Sequence, residues 1–562
     1  MNALPDRPRR PHWLVGAALI LSVHGEALLR QPGRYLMGLI WLVVGKRVRG
    51  RNQLSALIGS SRQAYALWMA RREPQSWPLS EPASGRAAFI IAIDARLSLE
   101  HLPKTLHSIQ FAGVPDAVIV LADPASKLLA GSYPANLPVR WAGGLSDLYH
   151  EMKQAEGTWL LMLKSGDRLA PNTFHILARA AQEGTSLCYA DDDLIDRNER
   201  RHTPHFKPDW NAELFRYHDY ISGAAAVRLD PALLGFLLAL DDPDWIEGLT
   251  RAAVELAEQD PTHVPHVLMH RLNRPQPATP EVARPVLETP PSVTVIIPTR
   301  NHLELLSACL KGLEQTLYSP MDVIIIDNGS DDLATIEFLD GLDTAHVRVL
   351  RQPGAFNYAA LNNSAVALTE SEYLCFLNND VSMIEPYWLL FLVAQARRGD
   401  VGAVGARLLY PDGTIQHAGV VLGVGGGAGH AHRGEDPTEA GYFQRAGLPQ
   451  FVSAVTGACL VVARNKFLAV GGFDAELFPV AFNDVDLCLK LNARGWQSLY
   501  EPRAELFHYE SKSRGTDHAG DKKLRFAGEL AQLKGRWRTD TQVDPYHHLA
   551  LSRFSEKFVI GL

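Results

Sequence analysis

The chain has 562 residues, 46% hydrophobic and 21% charged, with a formal net charge of −7. That length exceeds one ordinary domain and suggests about three, and the negative balance excludes a general affinity for nucleic acid. Five cysteines (Cys188, Cys309, Cys375, Cys459, Cys488) stand in mostly apolar surroundings without metal-ligand spacing, which indicates free thiols in a reducing, cytoplasmic compartment.

Residues 1–80 read as a basic helical extension. Up to Arg51 the basic residues are Arg7, Arg9, Arg10, Arg30, Arg34, Lys46, Arg47, Arg49 and Arg51, opposed by Asp6 and Glu26 alone. Two apolar patches lie among them, Trp13 to Val23 and Tyr35 to Val44, both shorter than the ~18 residues that span a bilayer. Two readings stand. The segment packs on the next domain, or it is a basic, apolar-faced anchor on the inner, anionic surface of the plasma membrane. Residues 70–86 are richer in Pro and Ser and read as a linker.

The next unit, 85–275, opens with the strand pattern Phe89 to Asp94. A helical pattern follows over Leu99 to Gln110, then strands at Asp116 to Asp123 and Thr158 to Asp167. The same order returns in 293–380, about 205 to 215 residues further on, which points to an internal duplication. Residues 271–291 contain six prolines, so 276–291 is a stiff linker.

The second copy, 292–530, begins with Val293-Thr-Val-Ile-Ile-Pro-Thr-Arg300. A helix from Asn301 to Thr316 follows, with Asn301 expected to cap it. Then come Val323-Ile-Ile-Ile-Asp-Asn-Gly-Ser330, Gly354 to Ser364 turning into a helix, and Tyr373-Leu-Cys-Phe-Leu-Asn-Asn-Asp380. Short apolar runs ending in polar residues read as parallel strands covered on both faces. Their polar ends gather where open α/β sheets bind ligands. The ends carry carboxylates and amides rather than a glycine-rich phosphate loop, which suggests a metal holding phosphates. Gly423 to Gly434 reads as a mobile glycine-rich loop. Phe482-Asn-Asp-Val-Asp-Leu487 begins a helix with Asp484 in its first turn. Residues 531–562 are a tail.

These segments together resemble inverting, family-2 glycosyltransferases of the tandem-domain bacterial surface-polysaccharide type, rhamnosyltransferase-like members among them. The resemblance is strong over 293–515 and moderate over 87–275. It implies an α/β chain with two tandem GT-A domains (nucleotide-diphospho-sugar transferase, Rossmann-like) and an N-terminal helical extension. It implies Mn²⁺ or Mg²⁺ as cofactor, a nucleotide-diphospho-sugar donor, and a glycan or lipid-linked glycan acceptor, with self-association left open.

Residue by residue, the resemblance assigns Asp380 of Asn378-Asn379-Asp380, with His508, to the metal, and Asp484 to general base. Pro298, Thr299, Arg300, Asp327, Arg351, Asn357, Asn362, Asn378 and Asn379 would line the donor pocket. Lys512 and Arg514 would meet the diphosphate. His417, Gly457 and Asp486 would face the acceptor side. Asn483 stands where the family pattern has glutamate. The first copy looks eroded: Ser165-Gly166-Asp167 offers one carboxylate, and Ile246 falls where an acid is expected. The run Asp191-Asp192-Asp193 is either a solvated turn or an ion site. The competing function is a non-catalytic glycan- or nucleotide-binding scaffold of a polysaccharide assembly complex.

Overall fold

A computed structural model describes residues 12–73, 87–129, 134–181, 184–240, 242–274, 283–342, 345–509 and 521–562. Four helices open the described chain: His12–Arg30, Pro32–Val43, Arg47–Gly59 and Ala64–Arg71. Two α/β units of the same topology follow, the arrangement that the resemblance implies.

In the second unit the strands Val347–Arg351, Met321–Asp327, Val293–Thr299 and Tyr373–Leu377 lie side by side and parallel. The sheet continues through Cys459–Ala463, antiparallel to Tyr373–Leu377, then Val401–Leu409, Gln497–His508 and Val381–Met383. Apolar side chains alternate to both faces. Val295, Ile297, Cys375 and Leu377 pack under the helices on one side; Ile296, Ile324, Leu374 and Phe376 pack on the other. Burial on both faces explains the unbroken hydrophobic runs in the sequence.

The first unit repeats this order with Val139–Ala142, Ala117–Leu121, Phe89–Asp94, Trp159–Lys164, Ala225–Arg228, Leu187–Ile195, Thr262–Arg271 and Arg168–Leu169. Register makes the correspondence explicit. Val381 pairs with His508, and Arg168 pairs with His270. Asp167 therefore answers to Asp380, and His270 to His508. The helix Trp245–Leu256 answers to Asn483–Asn492, which sets Ile246 against Asp484.

The two units are interlocked. Asn211 exchanges two hydrogen bonds with the Phe451 backbone, at 2.9 and 3.1 Å. Arg398 meets the fully buried Glu213 carboxylate at 2.5 Å. One apolar cluster joins Tyr65 and Trp68 of the fourth helix, Phe206 of the first unit, Val421 of the second, and Phe558 of the tail.

Two local expectations are corrected. Asn301 does not cap its helix: the residue before Leu303–Glu314 is His302, in the left-handed region, with no side-chain cap. Asn301 instead binds Asp331 and Asp332, donating to the Asp331 carboxylate and accepting from both backbone N–H groups. The glycine-rich stretch is a hairpin, Val420–Leu422 against Ala428–His430. Its turn needs glycine because φ is +81°, +64° and +85° at Gly423, Gly425 and Gly426, and a Cβ on Gly423 would strike Arg553 of the tail.

Candidate active site

The carboxyl edge of the parallel strands carries a row of polar residues in register, Thr299 beside Asp327 and Asp327 beside Arg351. Pro298 precedes Thr299 in the strand, opposite Ile326. Asp327 is buried; one oxygen accepts from the backbone N–H and hydroxyl of Ser330, the other from Arg351 at 2.7 Å. Arg351, expected to bridge to phosphate, is committed instead to Asp327 and Asp340. Arg300 is exposed, 3.6 Å from Asp331. Asn379 is buried and donates to the Thr299 hydroxyl at 2.9 Å, which ties the strand exit to the row.

Asn357 caps the helix Tyr358–Val366 by accepting from Ala360 N–H, and its amide donates to Ala475 O. Asn363 binds both backbone groups of Phe473. Asn362 is fully buried within the helix and donates to Tyr358 O. Asn357 and Asn363 therefore lock the helix onto the 473–475 segment.

Asp380 and His508 come together at the edge, with Asp380 Oδ1 3.1 Å from His508 Nε2. The other ring nitrogen, Nδ1, faces Gln416 Oε1 at 2.6 Å. Gln416 Nε2 donates to His508 O at 3.3 Å, which fixes the orientation of the amide. An oxygen therefore faces Nδ1, and Nδ1 must carry the proton. The Nε2 lone pair is left toward Asp380 and Asn378, whose amide lies 3.3 Å away. A lone pair and a carboxylate oxygen 3.1 Å apart repel unless a proton or cation lies between them. The residues thus fit a divalent metal: a hard carboxylate, and a neutral imidazole whose tautomer is set from behind. Sequence reading missed Gln416. Its only signal was a polar residue inside a short strand beside His417.

Asp484 sits half-buried in the first turn of Asn483–Asn492. Its Oδ2 accepts from Gly457 N–H at 2.8 Å and its Oδ1 from Val485 N–H at 2.8 Å. Gly457 belongs to a three-residue loop that links the site. Ala458 O accepts from Asn378 N–H, Gly457 O accepts from the Tyr358 hydroxyl, and Thr456 N–H donates to His417 Nε2. A Cβ on Gly457 would lie 3.2 Å from the Tyr358 oxygen and 3.5 Å from Asp484 Cβ, so the fit is close. Asp484 is therefore one loop away from the strand exit that carries Asp380.

His417 is fully buried, and burial pushes its ring pKa well below the usual histidine value, with His430 and His508 adding to the effect. It props the loop from inside rather than opening to an acceptor. Asp486, also expected on the acceptor side, is fully buried and accepts from Arg536 and from the Trp537 indole, both at 2.8 Å. The last helix, Asp521–Trp537, thereby clamps the start of the Asp484 helix. It also packs Phe526 against Phe482, and Glu529 accepts from Ala481 N–H. Phe482 holds φ +59°, a left-handed conformation costing about 1–2 kcal/mol outside glycine. Lys512 and Arg514 lie outside the described residues.

The equivalent edge of the first unit is closed. Asp167 is tied to the backbone N–H groups of Lys164 and Leu272. Burial pushes its carboxyl above the usual range, only partly offset by Arg271. His270 is turned onto Asp193 at 2.7 Å. Ile246 is buried, and the Trp245 indole donates to Asp94.

The acidic run is neither solvated nor open. Asp192 pairs with Lys207 and Arg274, and Asp193 with Tyr65, Arg201 and His270. Asp191, His263 and His548 bring three ligand-type atoms within 4.8 Å of one another. Both histidines stand at ion-pair distance from the Asp191 carboxylate. His548 Nδ1 accepts from Ala550 N–H, so its Nε2 carries the proton facing Asp191 at 3.0 Å. His263 lies between Asp191 and Asp209, at 3.1 and 2.9 Å.

The model of glycosyl transferase family 2 matches residues 294–422. Protein y4gI of Sinorhizobium fredii (strain NBRC 101917 / NGR234) is 38% identical over 72% of this chain and 50% of its own length. The O-antigen biosynthesis protein RfbC of Myxococcus xanthus is 33% identical over 64% of this chain and 31% of its own length. The chain thus spans half or less of these two relatives. An N-acetylglucosaminyl-diphospho-decaprenol L-rhamnosyltransferase of Mycobacterium tuberculosis (strain CDC 1551 / Oshkosh) is 30% identical over 41% of this chain and 78% of that protein. Sequence, topology and site geometry converge: this chain belongs to glycosyl transferase family 2.

Proposed function

We propose that the second unit transfers a sugar, with inversion at the anomeric carbon, from a nucleotide-diphosphate donor to a growing surface glycan such as O-antigen or capsule. The observation that carries this reading is the Thr456–Ala458 loop, which binds Asp484 through Gly457 and the Asp380 strand exit through Ala458. A base and a phosphate-side carboxylate on one short loop suit a single displacement. Asp484 takes the proton of the acceptor hydroxyl, the hydroxyl oxygen bonds to the anomeric carbon, and the bond to the diphosphate oxygen breaks. Gly457 and Val485 N–H groups hold the carboxylate in orientation throughout.

Asp380 and His508 would hold Mn²⁺ or Mg²⁺, which neutralises charge on the departing diphosphate. Thr299, Asp327 and Asn379 form the donor wall. The closed edge of the first unit, with Ile246 opposite Asp484, favours a supporting role for that unit. A glycan or lipid-linked glycan is the acceptor, in keeping with the names of the O-antigen and rhamnosyltransferase relatives. Incubating purified protein and Mn²⁺ with a panel of nucleotide sugars, nucleotide-activated rhamnose included, tests the reading. One donor should release nucleotide diphosphate in a metal-dependent way. Release from none, with saturating metal and acceptor glycans present, would refute it.

A further inference from the structure

The N-terminal helices present an apolar surface that nothing among the described residues covers. In Pro32–Val43 the buried residues are Tyr35 and Gly38. Gly38 faces Arg47–Gly59, where a Cβ on Gly50 would lie 2.8 Å from Gly38 O, and Tyr35 packs with Leu54 of that helix and binds His24 of the first at 2.8 Å. That packing fixes which side points away. Leu36, Ile40 and Val43 stand on it at spacings of four and three residues and are 50%, 51% and 87% exposed. Met37 and Val44 of the same segment are exposed as well, as is Leu29 near the end of the first helix.

The charge beside the patch has one sign. Between Ala27 and Arg72 there is no Asp or Glu, while Arg30, Arg34, Lys46, Arg47, Arg49, Arg51, Arg62, Arg71 and Arg72 are all basic, in a chain of net charge −7. Glu26, just before, is taken up by Ser61, Arg62 and Arg30.

We infer that the Pro32–Val43 helix and the start of Arg47–Gly59 dock on an anionic membrane surface, apolar side chains in the headgroup boundary and basic ones against the lipid phosphates. Apolar residues beside this excess of cations match such a leaflet in both respects. No described helix is long and apolar enough to cross a membrane, so the pair would lie along the surface. The platform is rigidly joined to the body. Ile560 N–H donates to Gly59 O, Arg51 stacks on Phe554 at 3.6 Å, and the fourth helix packs through Tyr65 and Trp68 on Phe206. Docking would hold the catalytic unit at a set distance from the lipid. The inference goes beyond the transferase reading and does not depend on it, since vesicle binding requires no turnover.

The test is cosedimentation of the full chain with vesicles of phosphatidylethanolamine and phosphatidylglycerol, compared with phosphatidylcholine alone, at low and high salt. The chain should pellet with the anionic vesicles, more at low salt, and not with phosphatidylcholine. Lys46→Gln with Arg47→Gln should weaken binding by about fivefold per charge. Leu36→Gln/Ile40→Gln/Val43→Gln should weaken it at least ~10-fold while melting as the parent does, because all three side chains are exposed. Absence of anionic-vesicle binding by the parent overturns the inference. So does parent-like binding by the apolar triple variant. A parent dimer that this variant turns into monomer, with vesicle binding unchanged, assigns the face to a second copy and overturns it as well.

Discussion

Replacing Gln416 with leucine tests how the site holds His508. The glutamine is 2% exposed and uses both ends of its amide on one residue, accepting from His508 Nδ1 at 2.6 Å and donating to His508 O at 3.3 Å. Leucine supplies neither. The buried Nδ1–H then lacks an acceptor, a loss of about 1–3 kcal/mol in stability. The ring is also released from the tautomer that turns its Nε2 lone pair toward Asp380. Removing a partner behind a metal-binding histidine typically weakens metal affinity by ~10–100-fold. The assay is release of nucleotide diphosphate titrated with Mn²⁺, alongside thermal melting with and without the ion. Gln416→Leu should need ~10–100-fold more Mn²⁺ for half-maximal turnover and should lose most of the Mn²⁺-induced rise in melting temperature. A parent-like Mn²⁺ titration would refute the assignment of Gln416 and with it the tautomer argument for His508.

Three further outcomes follow from the contrast between the units and from the tail. Asp380→Ala should abolish donor turnover, whereas Asp167→Asn should leave most of it; equal losses would place the chemistry in the first unit. Because burial raises the Asp167 carboxyl above its unfolded value, its charge costs stability as pH rises. The melting temperature of Asp167→Asn relative to the parent should therefore increase from about pH 4 to pH 7, and a flat difference would contradict this. Asp191→Asn removes the carboxylate between His263 and the tail's His548 and should cost about 3 kcal/mol, with faster proteolysis of residues 538–562. Burial opposes the Asp191 charge, but His548 and His263 hold its carboxyl below the usual range, so its stabilisation is lost as pH falls through that depressed value. Burial likewise opposes charge on His263, but Asp191 and Asp209 raise its pKa, so its share is lost as pH rises through the raised value. The gap in melting temperature should be widest between about pH 4 and 6.5; a gap that grows in acid would contradict it.

The parallel strands were legible because burial on both faces leaves an unmistakable pattern: Val293–Thr299, Met321–Asp327 and Tyr373–Leu377 are short apolar runs with polar exits. The duplication was legible for the same reason. Partner choice among polar side chains was not, because one-dimensional spacing says nothing about which guanidinium reaches which carboxylate. Arg351 reads equally well as a phosphate ligand or as the partner of Asp327, and the register of two neighbouring strands decides it. Asp486 and Asp484 are two residues apart on one helix. Arg536 and Trp537, fifty residues later in sequence, separate their roles. Gln416 was invisible because its partner, His508, is 92 positions away. The glycine hairpin was misread because the tail that packs on it is distant in the chain.

The central claim is that Asp484 is the base of an inverting transfer, and Asp484→Asn measures it most directly. Asparagine keeps the size and still offers Gly457 N–H an acceptor, but it cannot take a proton. With the cognate donor and acceptor, turnover should fall ~10²–10⁴-fold, donor binding by calorimetry should be nearly unchanged, and parent product should show the inverted anomeric configuration by NMR. Near-normal turnover of Asp484→Asn, or a retained configuration in the product, would contradict the account.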